Sequence, residues 1–144
     1  PEAFATSYEE FIQRVNPLDQ LKKNFSSPDN YTFGAFDKEE LIGVVTLLQE
    51  IAMKLRHRAN IFAMYVTPKS RGLGAGKALL CEAINKAKSL HEVEKVNLSV
   101  VPTNKTAKTL YSSLGFKVFG KEEKALKIKD AYYDEEHMVL VLNG

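Results

Sequence analysis

Residues 66–80, Val-Thr-Pro-Lys-Ser-Arg-Gly-Leu-Gly-Ala-Gly-Lys-Ala-Leu-Leu, carry the pattern best suited to chemistry. They read as the end of a strand, a glycine-rich turn and the start of an amphipathic helix. Gly72, Gly74 and Gly76 remove side chains where the backbone turns and where a ligand can come close. The helix that follows presents unpaired N–H groups and the positive end of its dipole. Together these form an anion site suited to a phosphate or pyrophosphate. Arg71 and Lys77 flank it with positive charge.

Spacing decides which phosphate ligand fits. A P-loop needs four residues between its first glycine and the Gly-Lys pair, then a hydroxyl for magnesium. Gly72 and Gly76 are separated by three residues, and Ala78 stands in the hydroxyl position. The dinucleotide fingerprint G-x-G-x-x-G fits poorly, because the last glycine here comes one position early. The pattern that remains is R-x-x-G-x-G, carried by Arg71, Gly74 and Gly76.

A second segment, residues 100–116, reads as strand, Asn, helix, Tyr and Gly-Phe. Asn104, Ala107 (or Lys108) and Tyr111 recur at helical spacing on one face. Gly115 is placed as a helix C-terminal glycine, with the apolar Phe116 behind it. Taken alone, each segment also reads as ordinary structure: a ligand-free turn, and an amphipathic helix with a buried tyrosine. Their order and their separation of about 30 residues are more specific than either one.

In these two segments the chain resembles the GNAT superfamily of N-acetyltransferases, whose acyl-CoA pyrophosphate loop carries R-x-x-G-x-G. The resemblance implies transfer of an acetyl group from acetyl-CoA, as co-substrate, to a primary amine that attacks directly in a ternary complex. It implies that Arg71, Gly72, Leu73, Gly74, Ala75, Gly76 and Lys77 hold the pyrophosphate. The strand ending Met64-Tyr65-Val66 would bond the pantetheine arm and offer an N–H to the oxyanion, with Met64 and Val66 as its contact residues. Asn104 and Ala107 belong to the second cofactor segment, and Tyr111 would protonate the departing thiolate. Many members carry a carboxylate on the strand before the glycine loop. Residues 60–66 hold no acid or histidine, leaving Glu50, His57, Asp134 and Glu135 as substitute bases, or surface charges. A water chain, or an amine that arrives neutral, would also serve.

The elements that must position these residues follow from periodicity. Residues 7–25 read as two helical pieces interrupted at Pro17. Strands are expected over 31–36, 41–49, 60–67 and 95–101. Residues 54–58 form a basic, solvated connection. A helix over 74–90 carries an apolar stripe of Leu79, Leu80, Ala83, Ile84, Ala87 and Leu90. Residues 116–119 start a strand, 121–129 form a charged strand or loop, and 138–142 form the last strand. The fold class is α+β, a GNAT-type mixed, mostly antiparallel twisted sheet flanked by helices. The usual first strand and helix of the family are not visible, so a trimmed or naturally short version is expected.

Bulk properties set the remaining expectations. A chain of 144 residues, 44% hydrophobic, is one domain, 1–144, with a real core. Twenty basic and 18 acidic residues give a net charge of +2, with no general drive toward nucleic acid or membrane. A single cysteine, Cys81, excludes an internal disulfide and suits a cytoplasmic location. His57, His91 and His137 show no metal-ligand spacing, so no metal is expected. The partner is a small-molecule or peptide amine, and an exposed sheet edge is compatible with a homodimer. Two other readings stay open: a non-catalytic acyl-CoA-binding or sensor module on the same fold, and a nucleotide-binding domain.

Overall fold

The structure is a computed structural model, and residues 28–68 and 74–142 are described. The helical reading of residues 7–25 and the question of a first strand and helix lie outside the described residues.

Among the described residues, six strands form one sheet in the order β1-β2-β3-β4-β6-β5. Strands β1 (Asn30–Asp37), β2 (Glu40–Gln49) and β3 (Arg58–Val66) make an antiparallel meander. Helix α1 (Ala75–Ser89) carries the chain to β4 (Lys95–Val100), which lies parallel to β3. Helix α2 (Lys105–Ser113) leads to the hairpin of β5 (Lys117–Ile128) and β6 (Ala131–Val141), and β6 pairs with β4. The parallel β3–β4 pair needs a long crossover, which α1 supplies. The expected α+β class, with a mixed and mostly antiparallel sheet, is the observed one.

Both helices cover the same face of the sheet. Leu79, Leu80, Ala83, Ile84 and Ala87 of α1 are buried against Val45, Leu47, Ala59, Ile61, Val96 and Leu98. Tyr111 of α2 and Met138 of β6 complete this core. The stripe read from the sequence is thus the buried face of α1, with Leu90 half-buried at its end. Residues that alternate with these on the strands point to the opposite face.

Of the two readings left open for the charged stretch 121–129, strand or loop, the structure shows a strand that continues β5 from Lys117 to Ile128. The last strand begins at Ala131 rather than 138, so the two form a long hairpin turning at Lys129 and Asp130. Cross-strand pairing across that hairpin overrides the weak strand preference of its lysines and glutamates. The basic connection is also more than a solvated loop. Arg56 donates to Asp29 at 2.7 Å and reaches Glu92 at 3.3 Å. These carboxylates raise the Arg56 pKa, the Asp29 hydrogen bond most of all. Cys81, on α1, is half-buried. Among the described residues no helix is long and apolar enough to cross a membrane.

Candidate active site at the parting of the parallel strands

Strands β3 and β4 pair over only three positions, Arg58↔Lys95, Ala59↔Val96 and Asn60↔Asn97. Both run on, β3 to Val66 and β4 to Val100, but among the described residues the ladder between them ends there. The strands therefore part toward their C-terminal ends. In open α/β sheets that end is where ligands bind.

The opening is shaped by a bulge. Val44 pairs with Tyr65 while Thr46 pairs with Phe62, so β3 holds one extra residue across from β2. Such an insertion bends a strand and re-aims its side chains. Beyond it Met64 reaches the helical side. A Cβ placed on Gly76 would lie 3.2 Å from Met64 Cε and 3.8 Å from both Val66 Cγ2 and Leu110 Cδ2. Gly76 is thus the point where α1 is drawn close to β3 and α2.

Helix α1 opens without a side-chain cap. Gly74 is its N-cap residue, with φ of +84° and no neighbour within 4 Å of a Cβ placed there. That backbone conformation, not lack of space, calls for glycine. The first turn contains no acidic residue and includes Lys77. A cation at the positive end of a helix is unfavourable by itself, and an anion there reverses the sign. Arg71, Gly72 and Leu73 lie outside the described residues.

Helix α2 starts at the end of β4. The Asn104 side chain accepts from the Ala107 N–H at 3.1 Å, a cap that links two of the residues singled out in the sequence. The first turn is again without acid and begins with Lys105. Tyr111 is 6% exposed and meets Phe116 edge to face, with centroids 6.1 Å apart. Burial disfavours the phenolate and pushes the Tyr111 pKa up to about 12. The phenol therefore keeps its proton throughout the neutral range, as a general acid must. The chain leaves α2 at Gly115, and Phe116 N donates to Tyr111 O at 3.1 Å. Lys108 pairs with Glu136 of β6 at 2.6 Å.

The structure separates the candidate bases. Glu50 accepts from Asn60 Nδ2 at 2.7 Å, and the His57 carbonyl accepts from Glu94 N at 2.8 Å. Both lie at the beginning of β3, the opposite end from Gly74. Asp134 accepts from Lys124 N at 2.9 Å, holding the β5–β6 hairpin. Glu135 lies on the face away from the helices, close to Glu122 and His137. Sequence spacing did not single out Ser99, Glu122 or His137 as one group. Ser99 and His137 are 38 positions apart and meet only through the pairing of β4 with β6.

Comparison with known proteins agrees with this geometry. Over 136 residues the chain is 25% identical to the spermidine N(1)-acetyltransferase of Vibrio cholerae, covering 93% of this chain and 77% of that protein. The crystal structure of a GNAT-family acetyltransferase from Streptococcus pneumoniae superposes with a TM-score of 0.77 at 25% identity, covering 85% of this chain and 72% of that one. A protein from Salmonella typhimurium, solved with its cofactor acetyl-CoA, shares the fold with a TM-score of 0.72 at 20% identity, covering 80% of this chain and 66% of that one. Residues 2–116 match the acetyltransferase (GNAT) family, and the chain belongs to it.

Proposed function

We propose that this chain transfers an acetyl group from acetyl-CoA to a primary amine, by direct attack within a ternary complex, with residues 1–144 acting as one domain. The observation that carries the reading is the parting of β3 from β4 between two helix N-termini whose first turns hold lysines and no acids. A slot edged by two strands suits an extended pantetheine arm, and the helix starts suit a diphosphate.

Acetyl-CoA supplies the activated acyl group as a thioester. In this reading Arg71 and the amides of Gly72, Leu73, Gly74, Ala75, Gly76 and Lys77 bind the pyrophosphate. The backbone of Met64 and Val66 aligns the pantetheine arm, and Asn104 and Ala107 border it. Tyr111 holds the proton that the departing thiolate takes up. The Vibrio relative acts on spermidine. A small-molecule or peptide amine is the acceptor class proposed here, in a cytoplasmic protein.

The test is thermal unfolding with saturating acetyl-CoA against ATP and NAD. At a hundred times its dissociation constant, acetyl-CoA should add about 2.7 kcal/mol. Release of CoA thiol with a panel of amines then tests transfer. Binding without turnover for any amine would mark a sensor module. Stabilisation by ATP or NAD alone would mark a nucleotide-binding domain.

A further inference from the structure

An incoming amine must lose a proton before it attacks, and β3 brings no acid or histidine to the opening: Asn60, Ile61, Phe62, Ala63, Met64, Tyr65 and Val66 are all unsuited to take it. The neighbouring strand offers another route. Ser99 belongs to the stretch of β4 beyond its last rung with β3, so it borders the parting. Its side chain is on the face away from α1 and α2, because Leu98 and Val100 on either side are in the helix-backed core. Ser99 is exposed, and its Oγ lies 2.7 Å from His137 Nδ1. His137 Nε2 lies 3.5 Å from Glu122 Oε1. One carboxylate oxygen each of Glu122 and Glu135 and one ring nitrogen of His137 all fall within 4.8 Å of one another.

Local distortions of β5 build this arrangement. Val118 pairs with Met138 and Gly120 with His137, so Phe119 is an extra residue. Its ring sits 6.1 Å from the imidazole. The charged or titratable groups on this face around His137 are Glu122 and, further along β5, Lys117, with Glu135 and Tyr133 on β6. On β4, Asn97 and Lys95 follow Ser99 down the strand.

We infer that Ser99 and His137, backed by Glu122 and Glu135, form the relay that takes the proton from the acceptor ammonium. The inference rests on the acetyl-transfer reading. One N–H bond of the ammonium breaks and an O–H bond forms at Ser99 as the Ser99 hydroxyl proton passes to His137 Nδ1. The amine is left neutral with its lone pair free, and Ser99 is regenerated. Carboxylate oxygens of Glu122 and Glu135 lie beside the imidazole that takes the proton. Ser99 touches the substrate, and His137 acts through it.

The experiment measures CoA release with spermidine, a lysine peptide and simple primary amines across about pH 5 to 9, the range that spans imidazole titration. His137→Ala is expected to lower kcat about 100-fold. It should leave KM for acetyl-CoA unchanged, abolish the acid limb of the pH–rate profile and respond to added imidazole with partial recovery. Ser99→Ala should lower kcat in the same direction, and His137→Gln provides the same readout if the alanine variant does not fold. A variant with wild-type kcat and pH profile overturns the relay and leaves acetyl transfer standing. So does a wild-type profile with no acid limb. A wild-type protein that binds acetyl-CoA but acetylates no amine overturns the acetyl-transfer reading, and the relay with it.

Discussion

Helix α1 and helix α2 start at the same end of the sheet, each after one strand of the parallel pair, yet their first turns are finished differently. Asn104 closes the start of α2 with its own side chain, accepting from Ala107 N. Gly74 leaves the start of α1 without a side-chain cap and holds a left-handed backbone. The first arrangement satisfies one of the helix's unpaired donors and is worth about 1 kcal/mol to the fold. The second keeps donors available and adds Lys77 in the first turn, at a cost of about 0.3–1 kcal/mol until an anion arrives. One helix start serves stability locally. The other leaves its donors without a side-chain cap, as the proposed anion site requires.

Breaking the α1 start should have the largest effect. Gly74→Val forces a β-branched residue into φ of +84°, a strain of about 1–3 kcal/mol. The first turn must rotate to relieve it, so the donors lose their common aim. Acetyl-CoA should then cease to raise the unfolding temperature. Gly74→Asn is the control, because asparagine tolerates the left-handed region. It should keep most of the ligand-dependent rise. A valine variant that still responds fully to acetyl-CoA would show that the α1 start is not the anion site.

The α2 side should respond in rate rather than in binding. Tyr111→Phe keeps the ring that packs on Phe116 and removes only the hydroxyl. Turnover should fall about 100-fold, the scale of a lost general acid, with acetyl-CoA stabilisation intact. The same residue gives a pH signature. An unfolded tyrosine ionises near pH 10, whereas buried Tyr111 holds its proton to about 12. The stability linked to this proton is fully present below pH 10 and is lost as pH rises toward 12. Its size is about 2–3 kcal/mol. Denaturant unfolding at pH 9 and above pH 11 should show a steeper loss for the wild type than for Tyr111→Phe.

These contrasts also explain what could be read ahead of the fold. The stripe of α1, the β-branched run of β2 and the glycine turn are local patterns, and each marks its element directly. Strand β5 is not local in this sense. Lys121, Glu122, Glu123 and Lys124 show no apolar alternation, and only their partners on β6 make them a strand. The bulge in β3 and the parting from β4 are properties of register between strands, which no window of sequence contains. Arg56 looked solvated because its partners Asp29 and Glu92 are 27 and 36 residues away. Ser99 and His137 were hidden for the same reason. Residue types suited to a cofactor loop are clustered in the chain, whereas a proton relay assembled across a sheet is scattered along it.

The smallest expected effect tests whether the two helix starts are as different as they look. Asn104→Ala removes the cap on Ala107 N and should cost about 1 kcal/mol of stability. Asparagine, however, has two functional ends. Its Oδ1 is the cap acceptor, while its Nδ2 remains a donor that could face the slot. Asn104→Asp separates them, because aspartate caps a helix as well and complements its dipole but cannot donate. If Asn104 serves only the helix, aspartate should restore stability and acetyl-CoA affinity together. If its amide also holds the pantetheine arm, aspartate should restore stability alone, with acetyl-CoA binding still weakened. The second result would make the start of α2 a binding element as well, and the contrast with α1 would reduce to which atoms each helix offers.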